Sequence, residues 1–205
     1  MILENTIKQA SQLLKNHNIV SYRLDAEIIL SEIMGVTREY LMINNCIDVP
    51  IKILEKYNHA IKRRIKREPV AYITEKKEFW SQNFTINHAT LVPRPETELL
   101  IYKLINFFKN KRINILDIGT GSGCILLAIL KEINFARGIG IDISAEAIKT
   151  AKVNSVKLNL SHRAKFKTFD VSKFNEGKYD LIVSNPPYIP SKDIKNLSKD
   201  IINYE

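Results

Sequence analysis

Cysteine is scarce in this sequence, and metal-ligand spacings are missing. Two cysteines, Cys46 and Cys124, lie far apart among the 205 residues. Two such residues cannot supply the dense disulfide framework of small secreted domains, so we expect both to be free thiols. The four histidines are scattered and match no zinc-ligand spacing. We therefore expect no metal site.

Long hydrophobic runs are also missing. No uncharged apolar stretch approaches the roughly 20 residues that a bilayer span requires. Residues 1–4 do not begin the basic region and apolar stretch of a secretory signal. The sequence therefore predicts a cytoplasmic protein with no membrane partner, and we expect it to be a monomer.

Positive charge is in moderate excess. Lys and Arg number 31 against 22 Asp and Glu, which gives a formal net charge of +9. This balance permits an acidic partner such as RNA, but net charge alone indicates neither fold nor chemistry. The basic run at residues 62–67 has no interleaved aromatic residues, so we interpret it as a solvated helix face. Direct nucleic-acid binding is not expected.

The first 65 positions have apolar residues at helical spacing and predict four short helices. The first contains residues 7–14, and the second contains residues 24–29 and ends at Gly35. Thr37 can cap a third helix, and Pro50 suits the first turn of a fourth. Small helices with one apolar stripe each are typical of a compact bundle.

A short hairpin is predicted after the helices, which end near Pro69. Aromatic and β-branched residues at 79–80 and 84–86 predict two strands around a turn at 81–83. From about residue 91 the pattern changes to alternating helices and strands.

The alternating part predicts an open α/β sheet. Residues 113–118 form a nearly continuous apolar run, as expected of a strand buried on both faces of a parallel sheet. Three further strands are predicted at residues 138–143, 165–169 and 179–184, with helices at 95–108, 124–133 and 144–158. In the first of these helices, five apolar residues are expected to face the core: Leu99, Leu100, Leu104, Ile105 and Phe108.

Three glycines follow the first strand of this sheet, at Gly119, Gly121 and Gly123. Glycine permits a sharp turn and a close approach of a ligand to the backbone, and the following helix offers free N–H groups at its start. The dinucleotide fingerprint requires a third glycine where Cys124 stands, and the Walker lysine is missing too. Dehydrogenase and nucleoside triphosphatase chemistry are therefore disfavoured.

An acidic residue lies at or near the end of each of three successive strands. Asp142 closes the second strand, where an acid can accept hydrogen bonds from ribose hydroxyls. Asp117, near the end of the first strand, could hold an ammonium group, and Asp170 follows the third strand. Since ligands bind at the carboxyl ends of parallel strands, the sequence predicts a ligand with an amine, a ribose and a base.

The fourth strand is followed by Ser184-Asn185-Pro186-Pro187-Tyr188. The side-chain carbonyl of Asn185 and the backbone carbonyl of Pro186 provide two nearby acceptors, which can hold both N–H bonds of an NH2 group. Tyr188 adds a flat apolar face. Such a grip can orient the nitrogen of a planar amide or amine toward an activated methyl group, where positioning matters more than a dedicated base.

These motifs together resemble the HemK/PrmC family, the release-factor glutamine N5-methyltransferases. The resemblance covers almost the whole chain and rests on five segments: RLDAEI at 23–28, EPVAYI at 68–73, EFW at 78–80, VPRPETE at 92–98 and NPPYI at 185–189. It implies a Rossmann-like class I methyltransferase sheet preceded by a small helical bundle and a β-hairpin hinge. The implied domains are a substrate-recognition domain at 1–74, a hinge at 75–90 and a catalytic domain at 91–205.

The resemblance also implies the activity and its residues. The family uses S-adenosyl-L-methionine to methylate the glutamine of the Gly-Gly-Gln motif in peptide-chain release factors. The residues implied to bind the cofactor are Asp117, Gly119, Thr120, Gly121, Ser122, Gly123, Asp142, Asp170, Val171 and Asn185. The implied substrate residues are Asn185, Pro186, Pro187 and Tyr188, of which Asn185, Pro186 and Tyr188 would be catalytic. Arg94, Pro95 and Thr97 lie in the family's pocket region.

The chain departs from the family pattern in two respects. Glu75 and Ser81 occupy hinge positions where the family often has glycine, so a different hinge geometry is expected. The family's sheet has seven strands, whereas only four are recognisable before Glu205, so the sheet is expected to be incomplete on its C-terminal side.

Two other functions remain open from the sequence. The same grip could hold the exocyclic amine of adenine, which would make the protein an adenine N6-methyltransferase acting on nucleic acid. Alternatively, the chain could be a truncated, inactive remnant that at most binds the cofactor. The helical segment at 23–28 and the motif at 92–98 favour the protein substrate.

Overall fold

The computed structural model describes residues 1–186 and residue 204. The chain divides into two units, of which the first contains Met1–Thr74 and the second begins at Glu75. All described strands lie in the second unit. Among the described residues, no helix combines the length and apolarity needed to cross a membrane.

Helices make up the first unit. They are α1 (Leu3–Asn16), α2 (Tyr22–Met34), α3 (Arg38–Ile43), α4 (Ile51–Ile65) and α5 (Val70–Thr74). The four predicted helices are confirmed, and α5 was not predicted. Gly35 ends α2 with a left-handed φ of 68°, and the Thr37 hydroxyl accepts a hydrogen bond from the Tyr40 amide at 3.2 Å. Both ends therefore use the signals read from the sequence.

The core of the first unit lies between the apolar faces of α1, α2 and α4. Its buried side chains include Leu3, Leu14, Ile29, Leu30, Tyr57 and Ile61. The hydroxyl of Tyr57 donates to the Ala26 carbonyl at 3.0 Å, so its polar atom is satisfied within the core.

The basic run at residues 62–67 is partly internal. Arg64 is only 7% exposed, and its Nε donates to the Asp25 carboxylate at 2.8 Å. Arg63 donates from Nε and Nη2 to the two carboxylate oxygens of Glu68, at 2.8 and 2.6 Å. The interpretation of the whole run as a solvated helix face was therefore wrong, because two of its cations neutralise buried carboxylates of the bundle.

The second unit begins with the hairpin of β1 (Lys76–Phe79) and β2 (Gln82–Thr85). The turn contains only Trp80 and Ser81, with φ values of 51° and 53°. Positive φ at both central residues is what a type I′ turn requires. The hairpin is confirmed, but the predicted turn at 81–83 was wrong, because the second strand begins at Gln82.

At two positions where the resemblance implies glycine, this chain has other residues, and their backbone is left-handed. Glu75 has a φ of 56° and Ser81 a φ of 53°. A left-handed conformation costs an L-residue roughly 1–2 kcal/mol, and glycine avoids this cost. These two positions therefore keep the backbone that glycine favours, at some expense of stability.

Ser81→Gly is expected to raise the free energy of unfolding by about 1 kcal/mol, because it relieves the left-handed strain. Urea unfolding of the full chain measures this difference. Ser81→Ala is the matched control, since it removes the hydroxyl and keeps the strain. An equal gain in both variants would contradict the strain explanation.

The sheet of the second unit is parallel throughout its described strands. These are β3 (Asn114–Ile118), β4 (Arg137–Asp142), β5 (Ala164–Thr168) and β6 (Leu181–Ser184), in the order β5-β4-β3-β6. Three helices accompany the strands: α6 (Glu96–Phe108), α7 (Cys124–Glu132) and α8 (Ala145–Lys157). The predicted open α/β sheet is thereby confirmed.

Helix α6 faces the core with a different set of residues from the predicted one. Ile101 is fully buried, whereas Leu99 is 59% exposed and Leu100 is 36% exposed. The inner stripe follows the spacing i, i+3, i+4 and i+7 from Ile101, and its other members, Leu104, Ile105 and Phe108, are half-buried. The prediction for Leu99 and Leu100 was wrong because the helix presents a face rotated away from them.

Candidate functional site

The carboxyl ends of the four parallel strands lie at one edge of the sheet. Ile118 of β3 pairs with Ser184 of β6 and with Ile141 of β4, and Asp142 pairs with Thr168 of β5. The segments that follow these strands therefore emerge side by side. They contain the glycine loop (residues 119–123), Asp170 and Asn185, and Asp142 is the last residue of β4. The strand pairing thus brings the predicted cofactor motifs to a common edge.

The glycine loop turns sharply between β3 and α7. Gly119, Gly121 and Gly123 have φ values of 69°, 55° and 80°, where an L side chain would be strained. The amides of Gly119 and Thr120 both donate to the Ile141 carbonyl, at 2.9 and 3.0 Å. The loop is thereby fastened to the end of β4, and the G-x-G-x-G spacing reflects a backbone requirement.

Asp117 is a buried carboxylate beneath this loop. It is 1% exposed, and its Oδ2 accepts a hydrogen bond from the Thr120 hydroxyl at 2.6 Å. Burial raises the pKa of Asp117 to about 6, against the lowering effect of the Thr120 hydroxyl. Its Oδ1 has no hydrogen-bond partner among the described residues. A buried acceptor without a partner suits a cationic ligand group, such as the ammonium of an amino acid.

Asp142 fixes the loop from the end of β4. Its Oδ2 accepts from the Gly121 amide and its Oδ1 from the Ser144 amide, both at 2.9 Å. Each carboxylate oxygen can accept a further hydrogen bond, so Asp142 can still bind two hydroxyls. The Ser144 hydroxyl in turn caps α8 by accepting from the Ala147 amide at 3.2 Å, as predicted.

Asp170 and Val171 lie just beyond β5. The carboxylate of Asp170 accepts from the Ser172 amide at 2.9 Å, and this hydrogen bond holds the pKa of Asp170 below its usual range. Val171 begins a short 3₁₀ helix and is 51% exposed. An exposed apolar side chain next to a fixed carboxylate offers a surface for a flat aromatic ring.

Asn185 and Pro186 follow β6 at the same edge. The hydroxyl of Ser184 donates to the Ile118 carbonyl at 2.9 Å, which ties the end of β6 to the end of β3. Asn185 is half-buried and Pro186 is exposed. The predicted residues Pro187 and Tyr188 lie outside the described residues.

Arg94, Pro95 and Thr97 lie at the start of α6. Pro95 immediately precedes the helix, and the Thr97 amide donates to the Arg94 carbonyl at 3.1 Å. That these three residues lie in a binding pocket stays a prediction.

Sequence reasoning missed two residues that shape the site. At Gly140 in β4, an added Cβ would lie 2.7 Å from Phe166 and 2.7 Å from the Thr120 hydroxyl. Asn154 in α8 is fully buried and binds the Ser122 carbonyl at 2.9 Å. A glycine inside a strand and an asparagine inside a helix are the signals that could have indicated them.

The arrangement fits S-adenosyl-L-methionine, the cofactor implied by the resemblance. The unpartnered Oδ1 of Asp117 suits its ammonium group, and the spare acceptor capacity of Asp142 suits its ribose hydroxyls. The Ser122 hydroxyl is also buried without a partner among the described residues. These groups can make hydrogen bonds with a ligand that they lack within the chain.

Two family models match the chain. The model of the PrmC N-terminal domain matches residues 5–74, and that of the methyltransferase small domain matches residues 95–204. The first match lies in the first unit, and the second begins after the hairpin of the second unit.

Curated relatives match over most of this chain. A release factor glutamine methyltransferase from Buchnera aphidicola subsp. Schizaphis graminum is 45% identical over 87% of this chain and 65% of its own length. A second, from Buchnera aphidicola subsp. Baizongia pistaciae, is 37% identical over 98% of this chain and 73% of its own. The chain thus spans about two thirds of the length of these relatives.

Solved structures match over a smaller part. An RNA methyltransferase from Salinibacter ruber in complex with S-adenosyl-L-homocysteine is 21% identical, with a TM-score of 0.42. The match covers 51% of this chain and 65% of that one.

Proposed function

Because the chain belongs to the release factor glutamine methyltransferase family, we propose that it methylates the glutamine of the Gly-Gly-Gln motif in peptide-chain release factors. The methyl donor is S-adenosyl-L-methionine, and the acceptor is the side-chain amide nitrogen N5. Release factors act in translation, so we expect the proposed activity in the cytoplasm.

The observation that carries this proposal is the common edge of the sheet. It combines a glycine loop, a buried carboxylate with a free acceptor, and Asn185 directly after the neighbouring strand. Strand β6 pairs with β3, so the predicted amide grip and the cofactor loop follow adjacent strands. A methyl donor and an amide acceptor must meet in this way for direct transfer.

Four residues would hold the cofactor in this arrangement. The carboxylate of Asp117 would pair with the ammonium group, and that of Asp142 would accept hydrogen bonds from the ribose hydroxyls. Asp170 and Val171 would lie beside the adenine. When bound, S-adenosyl-L-methionine supplies a sulfonium-activated methyl group. The chain's own contribution would be to hold both partners in a reactive orientation.

Asn185 and Pro186 would hold the substrate amide. An amide nitrogen is a poor nucleophile because its lone pair is delocalised into the carbonyl. Two carbonyl acceptors that bind both N–H bonds would orient the lone pair of the nitrogen toward the methyl donor. They would also stabilise the positive charge that develops on the nitrogen, which would then lose one N–H proton to solvent.

A methyl-transfer assay tests the proposal. The full chain is incubated with S-adenosyl-L-methionine labelled in the methyl group and, separately, with a release factor, the same factor with its Gly-Gly-Gln glutamine replaced by alanine, and DNA. Label is expected only on the first substrate. Label on DNA alone would instead assign the adenine chemistry. Cofactor binding by calorimetry without transfer to any substrate would identify a remnant that only binds the cofactor.

A further inference from the structure

We propose that Asn154 is a positioning residue that holds the glycine loop in its cofactor-binding conformation by tying it to the hairpin. This inference rests on the proposed function, because it concerns how the same cofactor is held. Asn154 lies in α8, outside every motif that the sequence indicated. Its side chain makes hydrogen bonds to both the glycine loop and the hairpin.

The side-chain amide of Asn154 uses both of its ends. Its Nδ2 donates to the Ser122 carbonyl at 2.9 Å and to the Thr85 carbonyl at 3.0 Å. Its Oδ1 accepts from the Thr85 amide at 2.7 Å. The side-chain amide therefore pairs with both backbone groups of Thr85, as the backbone of a neighbouring strand would. Its remaining N–H donates to the glycine loop.

Burial makes these three hydrogen bonds costly to lose. Asn154 is fully buried, and Ser122 is 2% exposed. A buried polar group that loses its hydrogen-bond partner is destabilising, because water cannot replace the lost partner. Asparagine is also a weak helix former, so helix propensity gives no reason for its presence inside α8. The contacts of its side chain give that reason.

The loop is held from two sides, and Asn154 supplies one of them. On one side, the Asp142 carboxylate accepts from the Gly121 amide at 2.9 Å. On the other, Asn154 binds the carbonyl of the next residue, Ser122. Gly121 and Gly123, which flank Ser122, both have left-handed φ. A loop with two such glycines has wide backbone freedom, and the bonds to the Gly121 amide and the Ser122 carbonyl restrict it between these glycines.

A second hydrogen bond joins α8 to the segment just after the hairpin, and it does not involve the glycine loop. One turn earlier in α8, the Thr150 hydroxyl accepts from Nδ2 of Asn87 at 2.8 Å, just after the hairpin. Thr150 is 4% exposed, so this bond is buried to a similar degree. It provides a matched control, because its loss removes a contact between α8 and the segment after the hairpin and leaves the hydrogen bond from Asn154 to the Ser122 carbonyl in place.

Calorimetric titration with S-adenosyl-L-homocysteine compares Asn154→Asp with Thr150→Val in the full chain. Asn154→Asp keeps the acceptor for the Thr85 amide but places an oxygen against the carbonyls of Thr85 and Ser122. We expect it to weaken binding about tenfold or more, since it removes the hydrogen bond to the loop. The affinity of Thr150→Val for S-adenosyl-L-homocysteine is expected to stay within about twofold of that of the unchanged chain. Equal losses in both variants, or none in Asn154→Asp, would overturn the positioning role.

Hydrogen exchange on the unchanged chain gives a readout that does not depend on how the variants fold. Binding of S-adenosyl-L-homocysteine is expected to slow exchange of the Thr85 amide more than that of amides in β1, because Thr85 bonds to Asn154. Equal slowing, or none at Thr85, would overturn the inference. A chain that binds no S-adenosyl-L-homocysteine at all would refute the proposed cofactor. A chain that binds it, with Asn154→Asp of equal affinity, would refute only the role of Asn154.

Discussion

Asp117→Asn is expected to weaken binding of S-adenosyl-L-homocysteine by about a hundredfold, because the ligand's ammonium group loses its buried counter-charge. Removing one partner of a buried charge pair costs roughly 2–5 kcal/mol, which corresponds to a loss of about 30-fold or more and brackets this value. Asparagine has nearly the same shape and keeps an acceptor for the Thr120 hydroxyl, which now binds Oδ2 at 2.6 Å. Calorimetric titration measures the change. Unchanged affinity would exclude Asp117 from the cofactor site.

The same substitution is expected to make the ligand-free chain more stable at pH 8. Burial raises the pKa of Asp117 from 3.8 to about 6, so the folded state disfavours the ionised carboxylate. Below pH 3.8 both states are protonated and the cost is absent. Between these values only the unfolded state ionises readily, so stability falls as the pH rises. Above pH 6 the full cost remains, about 3 kcal/mol at 1.36 kcal/mol per pKa unit.

Urea unfolding at two pH values tests whether Asp117→Asn raises the free energy of unfolding. The stability gain of Asp117→Asn is expected to be about 3 kcal/mol at pH 8 and about half of that at pH 5. Asp170→Asn is the control of opposite sign, since the Ser172 amide holds the pKa of Asp170 below its usual range. Replacing the Asp170 carboxylate should therefore lower the free energy of unfolding at pH 8. A loss of stability in Asp117→Asn at pH 8 would show that the carboxylate supports the fold.

Cofactor affinity is expected to follow the same titration. Below pH 6 the Asp117 carboxylate is largely protonated, so affinity should fall by up to tenfold for each unit of pH. In Asp117→Asn this pH dependence should disappear. The buried carboxylate would thus be retained at the expense of stability because it binds the cofactor.

Local signals in the sequence were enough to predict most elements of the fold. Gly35 and Thr37 each act through one or two backbone contacts within a few residues, so their effect can be read from the chain. The buried run in β3 is apolar on both faces, and this pattern requires no knowledge of its neighbours. The prediction for α6 named Leu99 and Leu100 and omitted Ile101, because apolar residues lie on several faces of this helix and only packing shows which face turns inward.

Long-range contacts account for what the sequence could not show. Arg64 lies in a basic run, and only the fold reveals that its partner is Asp25, 39 residues earlier. Asn154 contacts Ser122 and Thr85, which are 32 and 69 residues away. A single sequence carries no trace of such pairs, because each partner is an ordinary residue in its own segment. The acids of the site were easier to predict because strand ends share one edge of a parallel sheet.

Asn185→Ala is expected to lower the methyl-transfer rate by about 10²- to 10³-fold and to leave the affinity for S-adenosyl-L-homocysteine within about twofold. Asn185 follows β6, whereas the glycine loop follows β3 and Asp142 ends β4, so the side chain of Asn185 would serve the substrate amide. The loss has the size found for removal of one preorganised transition-state contact. Single-turnover transfer to a release factor and calorimetric titration measure the two quantities.

Asn185→Asp provides the matched control for this prediction. Aspartate keeps a carbonyl-type acceptor at the same position, so it should still bind one N–H of the substrate amide and transfer faster than Asn185→Ala. The neighbouring variant Ser184→Ala removes the hydrogen bond to the Ile118 carbonyl, which is 2.9 Å long, and tests whether the end of β6 must be tied to β3. If Asn185→Ala instead lost cofactor affinity, Asn185 would belong to cofactor binding, and the substrate amide would be held by other groups at this edge.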